Sequence, residues 1–498
     1  MKKLFALLVI ILLLFVSYSC FGSVDNATTT LLTDSTIISP PTNVNVTESI
    51  LTYSEVTLAD SYEIEVTDQS NNSQVSYKVS NSTDLAFLLL NGNYTLRMKS
   101  LSISGVDSEY SNSVSFTILN SKKTSEIEGI TLKNQEYVRF LGRTYYDESI
   151  SATTIYSTAS GFEVGFYGTS LEATFLATNT SSISKQPYFI VFLDGETDPT
   201  KGNTFILYAS EVSYTLVSGL GEGYHHIRIV KRSEATDSVF SLKSISTDGS
   251  FAALPTEKTL KIQFIGASTM MGYGNLAAKP SESKSTENSN GMFAYPYLTS
   301  YMLDSEISIL GASGWGISRG YNTGGVIDAV KNIPNAFDYV GIDNNAEVLT
   351  ALPKWNQSSF VPNIIVVNLG SNDFNSSGYD SMSSVNQTAF VEQFVINYVD
   401  FLTKLHTYFP DAIIICAYGI LSDNTAIENA TLEVVSEANT AFSSVYGFKM
   451  TTGSVLDFSF GSDYHPSIQT HLVAANDLVN FILEITSYER IHEQITLN

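Results

Sequence analysis

The sequence Lys261-Ile-Gln-Phe-Ile-Gly-Ala-Ser-Thr-Met270 joins a short apolar run to a turn that carries hydroxyl groups. The apolar run has the length of one buried strand and stops at Gly266. Ligands of open α/β sheets bind just beyond the carboxyl ends of the strands, and Ser268 lies at such a position. A Gly-x-Ser turn alone gives weak support for catalysis, because serine is also common in turns and at helix N-caps. The interpretation of Ser268 therefore depends on the rest of the chain.

Residues 258–498 alternate apolar, strand-like runs with helical periodicity. The strand-like runs are Lys261–Ile265, Ile307–Leu310, Ile364–Leu369, Ala412–Ala417 and Tyr446–Met450. One amphipathic helix is indicated by apolar residues at steps of three and four, namely Phe390, Phe394, Tyr398, Phe401 and Leu405. Ser467 to about Tyr488 repeats this pattern. The alternation predicts a parallel sheet covered on both faces, a three-layer α/β/α domain.

The N-terminal half carries short alternating strands and turn residues, which predict two β-sandwiches. Between residues 38 and 119, the segments Ser61-Tyr-Glu-Ile-Glu-Val66 and Tyr94-Thr-Leu-Arg-Met98 resemble a fibronectin type III module. Such a module is either a spacer or a binding unit. Between residues 130 and 255 a sandwich of jelly-roll type is predicted from the strand-like segments Gly161–Phe166, Leu171–Phe175, Tyr188–Leu193 and His225–Val230.

Residues 1–22 form a predicted signal peptide, because two lysines precede an apolar run from Leu4 to Val16. The run is shorter than the roughly 20 residues that span a bilayer, and no interior run reaches that length either. A lipid anchor at Cys20 is less favoured, because the three residues before it do not match the usual anchoring pattern. The sequence therefore predicts a secreted protein without an integral membrane span.

The chain of 498 residues has a formal net charge of −24, and 43% of its residues are hydrophobic. Nucleic acids and anionic membranes require a basic surface, so the charge argues against both and favours a neutral substrate. Of the two cysteines, Cys20 is expected to leave with the signal peptide, and Cys416 lies in an apolar run. Neither the cysteines nor the six histidines have metal-ligand spacing, so we expect no metal and no cofactor.

Four segments of small and polar residues follow predicted strands or precede the last helix. They are Gly266-Ala-Ser268, Gly311-Ala-Ser-Gly-Trp-Gly316, Gly370-Ser-Asn-Asp373 and Gly461-Ser-Asp-Tyr-His-Pro466. Because the carboxyl ends of parallel strands meet at one edge of a sheet, we expect a serine, a glycine, an asparagine and a histidine to come together there.

These residue types are the parts of an acyl-transfer site. Ser268 is a poor nucleophile until a base takes its proton, and His465 has the side chain whose pKa suits that task. Asp463 is predicted to hold the imidazole in the required tautomer. The oxyanion needs fixed donors, which we expect to be the N–H of Ser268, the N–H of Gly314 and the Asn372 amide.

The order of these motifs is similar to that of the SGNH (GDSL-type) hydrolases, and most similar to the second family of carbohydrate esterases, which joins a jelly-roll to an SGNH domain. The matching segments, within about residues 130–490, are Arg139–Arg143, Phe264–Asn275, Ala312–Gly316, Asn368–Phe374 and Asp463–Ser467. The resemblance implies a serine esterase that removes acetyl groups from plant-type polysaccharides, xylan or glucomannan, without a metal.

Two positions depart from the general SGNH pattern. Ala267 stands where the family has an aspartate, which helps to hold the turn. Asp463 precedes His465 by two residues, whereas general SGNH enzymes place the aspartate three residues before the histidine; the carbohydrate esterases share the shorter spacing. Asp373 is expected to support the loop of Asn372 rather than to take part in the chemistry.

Three aromatic residues flank the motifs: Trp315, Tyr273 and Tyr464. They are candidates for a platform on which a sugar stacks, but aromatic side chains at such positions are as often packing residues. The polar segment Lys279–Asn290 is either a rim loop of the site or a solvated loop.

The sequence thus predicts a secreted serine esterase that deacetylates a polysaccharide or oligosaccharide. One alternative is an SGNH lipase or thioesterase acting on an apolar acyl chain, although no long apolar stretch flanks the site motifs. The other alternative is a carbohydrate-binding protein on an inactive esterase scaffold, which is suggested by Ala267.

Overall fold

The computed structural model describes residues 38–102, 106–128, 136–321, 325–342, 349–453 and 459–497. The predicted signal peptide at 1–22, with Cys20, lies outside the described residues. Within the described ranges, none of the helices combines the length and the hydropathy that crossing a bilayer requires.

The first unit contains, among the described residues, six antiparallel strands in a two-stranded sheet (β1-β2) and a four-stranded sheet (β4-β3-β5-β6). The strands are Thr42–Thr47 (β1), Ile50–Ser54 (β2), Ser61–Asp68 (β3), Gln74–Val79 (β4), Gly92–Leu101 (β5) and Val114–Ile118 (β6). Every second side chain of β3 is buried, which puts Ile64 in one core with Leu51 and Met98. Assignment of this unit to the fibronectin type III class stays a prediction.

The second unit is a β-sandwich of two antiparallel sheets around an aromatic core that includes Phe162, Phe175 and Phe189. Its strands in the described part of the chain are Glu126–Glu128 (β7), Val138–Leu141 (β8), Thr144–Asp147 (β9), Ala152–Ile155 (β10), Gly161–Tyr167 (β11), Leu171–Ala177 (β12), Tyr188–Leu193 (β13), Asn203–Ile206 (β14), Glu211–Val217 (β15), Tyr224–Lys231 (β16), Phe240–Thr247 (β17) and Ser250–Ala252 (β18). One sheet has the order β15-β12-β17-β10-β9, with β7 also on β17. The other has the order β14-β13-β16-β11-β18, with β8 also on β11.

The third unit is a parallel sheet with the strand order β20-β19-β21-β22-β23. Its described strands are Lys261–Gly266 (β19), Glu306–Gly311 (β20), Ile364–Asn368 (β21), Ile413–Tyr418 (β22) and Val445–Lys449 (β23). Its described helices are Tyr295–Met302 (α1), Ile333–Ala336 (α2), Ser371–Ser377 (α3), Ser384–Tyr408 (α4), Thr425–Ala441 (α5) and Ile468–Ile485 (α6).

The parallel sheet is buried on both faces because successive side chains of each strand enter different cores. On β19, Phe264 packs with α1 and α6, whereas Ile265 packs with α4 and α5. Val366 and Val367 divide between the two cores in the same way. The predicted fold class, N-terminal β-sandwiches followed by a three-layer α/β/α domain with a parallel sheet, is confirmed.

The β-sandwich packs directly against the α/β/α unit. Arg143, which is fully buried, donates to the main-chain oxygens of Phe337 and Tyr339. Arg228 of β16 lies between the carboxylates of Glu163 and Glu306, and its Nη2 is 2.7 Å from Glu306 Oε2. Buried charges of this kind need such partners, because an unpaired charge in the interior is strongly destabilising. The contact therefore holds the two units in one arrangement.

Candidate active site

Ser268 lies at the carboxyl edge of the parallel sheet, between the ends of three strands. The register pairs Gly266 with Gly311 on one side and with Asn368 on the other, so the loops that follow start at the same level. A 3₁₀ turn begins at Ser268 and ends at Met271. The predicted convergence of the motifs after β19, β20 and β21 follows from this register.

Ala267 is the N-cap of this turn, and its side chain makes no capping hydrogen bond. Aspartate is among the preferred N-cap residues, because its carboxylate accepts main-chain N–H groups of the first turn. We therefore expect Ala267→Asp to keep or raise kcat/KM. Thermal unfolding and acetyl-ester kinetics measure the outcome. Unchanged melting with a lower kcat/KM would contradict the expectation and assign Ala267 to a rearranged turn.

The loop that carries His465 is held against the loop after Ser268 by main-chain hydrogen bonds. Ser462 N–H donates to Gly274 O and Asp463 N–H donates to Pro280 O, each at 2.9 Å. Gly274 permits this approach, because a Cβ added to it would lie 2.3 Å from the Ser462 Cβ. His465 Nε2 thereby comes to 2.9 Å from Ser268 Oγ.

This distance is that of a hydrogen bond in which the serine hydroxyl donates to a neutral imidazole. Burial lowers the pKa of His465, although the main-chain groups of Asp463 and Ser462 and the charges of Asp463 and Glu234 act in the opposite direction. A lowered pKa keeps the imidazole neutral near pH 7, which is the form that accepts a proton.

The structure differs from the prediction at Asp463. Its carboxylate accepts a hydrogen bond from Tyr273 Oη at 3.0 Å, and no hydrogen bond joins it to the imidazole. Among the described residues, His465 Nδ1 has no partner in good hydrogen-bond geometry. The physical reason is local: Asp463 and Tyr464 both have left-handed backbones, with φ of 51° and 59°, and this tight turn separates the carboxylate from the ring.

We therefore expect Asp463→Ala to lower kcat by about tenfold or less, far below the roughly 10⁴-fold loss of a triad carboxylate. Tyr273→Phe removes the same hydrogen bond and is the matched variant. The double variant should be no worse than the poorer single variant, because the two residues share one interaction. Steady-state kinetics of all three variants test this. A loss near 10⁴-fold for Asp463→Ala alone would restore the triad.

Of the three predicted stacking residues, only Tyr464 exposes most of its surface beside the site, at 68%. Tyr273 instead stacks on the His465 ring, with centroids 4.0 Å apart and planes at 25°. Burial, with the hydrogen bond to Asp463, raises the pKa of Tyr273 to about 12, so its hydroxyl stays a donor. Trp315 is largely buried in a hydrophobic core and is not among the residues that line the cleft, and its role as a platform residue stays a prediction.

The residues predicted to supply the oxyanion donors, Ser268, Gly314 and Asn372, line the same cleft. The N–H groups of Ser268 and Gly314 have no acceptor within the part of the chain that the structure describes. Asn372, in the first turn of α3, donates one amide hydrogen to Trp315 O at 2.8 Å, which leaves its second hydrogen available. A tetrahedral oxyanion requires donors of this kind, and the assignment of these three N–H groups to it stays a prediction.

We expect Asn372→Ala to lower kcat by about 10²–10³-fold with little change in KM, the usual loss of one oxyanion donor. The control is Asn375→Ala, which removes an exposed amide from the same cleft. Acetyl-ester kinetics separate the two constants. A raised KM at constant kcat would make Asn372 a ground-state binding residue.

Asp373 supports the Asn372 turn, as expected from the sequence. Its buried carboxylate accepts the N–H groups of Ile317, Ser318 and Arg319 at 2.8–3.0 Å. Gly316 allows the approach, since a Cβ there would lie 2.3 Å from Asp373 Oδ2. Asp373 thus fastens the loop after β20 to the start of α3, the two segments that carry Gly314 and Asn372.

The site opens into a cleft of about 710 Å³. Its lining includes Ser268 and His465 together with residues that sequence patterns did not single out, namely Ser313, Tyr321, Asn375, Leu421, Ser422 and Phe460. Tyr321 is 63% exposed and lies outside the predicted motifs in sequence, although its N–H donates to Gly314 O at 2.7 Å, so the sequence offered no signal for it. No group of three or more histidine, cysteine, aspartate or glutamate residues within the described ranges is arranged to hold a metal ion.

Two family models match the chain in sequence. Residues 140–256 match the carbohydrate esterase 2 N-terminal domain, and residues 262–478 match the GDSL-like lipase/acylhydrolase domain. Among curated relatives, the cellulase/esterase CelE of Acetivibrio thermocellus is 29% identical over 328 residues, which are 64% of this chain and 36% of CelE. This chain thus spans about a third of that relative's length. An acetylxylan esterase/glucomannan deacetylase of Cellvibrio japonicus is 29% identical over 272 residues, 53% of this chain and 71% of the relative.

Solved structures are similar over the same region. A family two carbohydrate esterase from Clostridium thermocellum, in complex with cellohexaose, has a TM-score of 0.59 at 26% identity and covers 70% of this chain and 98% of its own. An acetyl xylan esterase (Est2A) from Butyrivibrio proteoclasticus has a TM-score of 0.62 at 21% identity, over 73% of this chain and 99% of its own, which supports the fold. These matches show a carbohydrate esterase 2 N-terminal domain followed by a GDSL-like lipase/acylhydrolase domain, and the similar proteins include family two carbohydrate esterases.

Proposed function

We propose that this protein removes O-acetyl groups from a polysaccharide of the xylan or glucomannan type through an acyl-enzyme on Ser268. The observation that carries the proposal is the 2.9 Å contact between His465 Nε2 and Ser268 Oγ, in a cleft with N–H groups for which the described residues supply no acceptor. The names of the relatives, which include acetylxylan esterases and glucomannan deacetylases, support this substrate class.

The proposed reaction begins when His465 Nε2 takes the proton of Ser268 and Oγ attacks the carbonyl carbon of the acetyl ester. The tetrahedral oxyanion is stabilised by the N–H groups of Ser268 and Gly314 and by the Asn372 amide. His465 then returns the proton to the sugar oxygen as the ester bond breaks. A water molecule, deprotonated by His465, releases acetate from Ser268 by the same steps in reverse.

A short acyl group fits the chemistry of the cleft better than a long one. The walls near Ser268 carry polar side chains, including Ser313, Asn372 and Asn375. A long acyl chain would need a continuous apolar surface, because each buried methylene contributes about 0.8 kcal/mol. The exposed rings of Tyr321 and Tyr464 at the same cleft are suited to the apolar face of a sugar.

The test is acetate release from acetylated xylan and acetylated glucomannan, compared with a 4-nitrophenyl ester series from acetate to octanoate. We expect acetate release from at least one polymer and a fall in kcat/KM along the series. A maximum at octanoate would support a lipase-like function instead. Absence of turnover with every ester, in a folded protein, would support a binding protein.

We further propose that the protein acts outside the cell, as residues 1–22 suggest. Expression of the full chain in a secreting host tests this proposal. A mature protein in the medium that begins after about residue 22 is expected. Retention of Met1 in a cell-associated product would contradict secretion, and a membrane-bound product that begins at Cys20 would identify a lipid anchor.

A further inference from the structure

One carboxylate of the β-sandwich reaches the catalytic edge of the α/β/α unit. Glu234, which follows β16, is buried and accepts two hydrogen bonds from one residue of the loop after β20. Ser313 N–H donates to Glu234 Oε2 at 3.1 Å, and Ser313 Oγ–H donates to Glu234 Oε1 at 2.8 Å. Both the main chain and the side chain of Ser313 are thereby fixed, one residue before Gly314.

Gly314 is held on two sides, by this anchor on Ser313 and by Tyr321 N–H, which donates to Gly314 O at 2.7 Å. Gly314 has a φ of +83°, a conformation that a glycine enters and leaves easily. The peptide that carries its N–H group is formed by Ser313 and Gly314, so the orientation of that donor follows the backbone of Ser313. The Ser313 contacts come from the β-sandwich, whereas Asp373 holds the loop only from residue 317 onward.

The same carboxylate is connected with His465 through two contacts, which are made by Lys284 and by the ring of Tyr273. Lys284 Nζ donates to Glu234 Oε1 at 3.0 Å and also to Asp237, and its side chain is only 13% exposed. Segment Lys279–Asn290 is therefore anchored at this residue instead of being merely solvated. Lys284 Nζ lies 5.4 Å from the centre of the Tyr273 ring, which stacks on His465.

This cluster is charged although it is buried. Burial opposes the ionised form of Glu234, but the charge and hydrogen bond of Lys284 and the hydrogen bond of Ser313 hold its pKa well below the ordinary value. An ionised acceptor makes stronger hydrogen bonds to N–H and O–H groups than a neutral one. The Ser313 turn is thus held by a carboxylate rather than by main-chain contacts alone.

We propose that Glu234 is a positioning residue for ester hydrolysis: the β-sandwich uses it to hold Ser313, and through Ser313 the Gly314 N–H, in the geometry that stabilises the oxyanion. The β-sandwich then supplies a positioning residue to the catalytic site in addition to packing beside it. The inference rests on the proposed Ser268 mechanism, so Ser268→Ala is assayed in parallel.

The test compares Glu234→Gln and Ser313→Ala with Glu306→Gln in the full-length chain. Glu306 is a matched control, because it is also a buried carboxylate that pairs across the same contact, with Arg228, but it lies away from the cleft. The measurements are kcat and KM for 4-nitrophenyl acetate, Ki for phenylboronic acid, and the melting temperature. The boronic acid forms a tetrahedral adduct with a serine nucleophile and reports on transition-state complementarity.

We expect Glu234→Gln to lower kcat by about 10–100-fold and to leave KM within about twofold of the wild type. Ki for phenylboronic acid should rise by about the same factor as kcat falls. The reason is that a donor displaced by about 1 Å loses on the order of 10² in rate. Ser313→Ala should lower kcat by a smaller factor in the same manner. Glu306→Gln should lower the melting temperature but leave kcat and Ki within about twofold of the wild type.

Equal kcat and Ki for Glu234→Gln and the wild type would overturn the inference. So would equal losses in Glu234→Gln and Glu306→Gln, which would reduce Glu234 to a stabilising contact. If Glu234→Gln does not fold, Ser313→Ala decides, and wild-type kcat and Ki for that variant would contradict the proposal. An active Ser268→Ala would instead overturn the proposed mechanism itself, whatever Glu234 does.

Discussion

Replacement of Ser268 by alanine is expected to lower kcat by about 10⁴–10⁶-fold, because the substitution removes the atom that attacks the ester. The folded state should change little. Within the described ranges, Ser268 Oγ has one hydrogen bond, to His465 Nε2, and a single hydrogen bond contributes about 1 kcal/mol to the free energy of unfolding. Acetate release and thermal unfolding measure the two effects separately.

Thr269→Val is the matched control for this substitution. It removes the neighbouring hydroxyl from the same 3₁₀ turn while keeping the volume of the side chain. We expect this variant to retain most of its activity. If Ser268→Ala keeps a substantial share of the wild-type kcat, the nucleophile is another group.

Replacement of His465 by alanine should be about as damaging as loss of Ser268, and the double variant should be no worse than either. Residues that act as one unit are non-additive in this way, because neither works without the other. The kinetics of the two single variants and of the double variant test the point. Losses that multiply in the double variant would mean that Ser268 and His465 act independently.

The pH dependence of the wild type follows from the same histidine. Its protonated form cannot accept the Ser268 proton, so kcat/KM falls as the pH falls through the pKa of His465. Burial lowers that pKa, which places the acidic limb of the profile below 6.5, the ordinary value. An acidic limb centred above pH 6.5 would contradict this expectation. It would mean that nearby negative charge raises the pKa of His465 by more than burial lowers it.

The fold could be predicted from the sequence because apolar runs and helical stripes indicate which faces of the strands and helices are buried. The buried faces in turn determine how the layers pack. Strand β19 shows this: a run of five residues predicts a strand, and both of its faces are buried. The meeting of Ser268, Gly314, Asn372 and His465 was predictable for a related reason. Parallel strands in register end at one edge, so the residues that follow them are neighbours whatever the rest of the chain does.

Side-chain direction could not be predicted in the same way. Asp463 lies two residues from His465, but the left-handed backbone of Asp463 and Tyr464 takes its carboxylate to Tyr273. Trp315 lies beside Gly314 in sequence and still packs in the core, because neighbours in a loop point in different directions. Glu234 belongs to another unit, and no local pattern connects it with Ser313, about eighty residues later in the chain.

The central claim, that Ser268 becomes acylated with His465 as its base, is tested most directly by covalent trapping. The full-length chain is treated with diethyl 4-nitrophenyl phosphate, which transfers a diethylphosphoryl group to an activated serine and releases 4-nitrophenolate. Intact-mass measurement and peptide mapping then locate the group. We predict one group per chain, on Ser268, at a rate that falls sharply in His465→Ala, and no modification in Ser268→Ala. Loss of esterase activity with the group on another residue, or full activity with Ser268 blocked, would contradict the account.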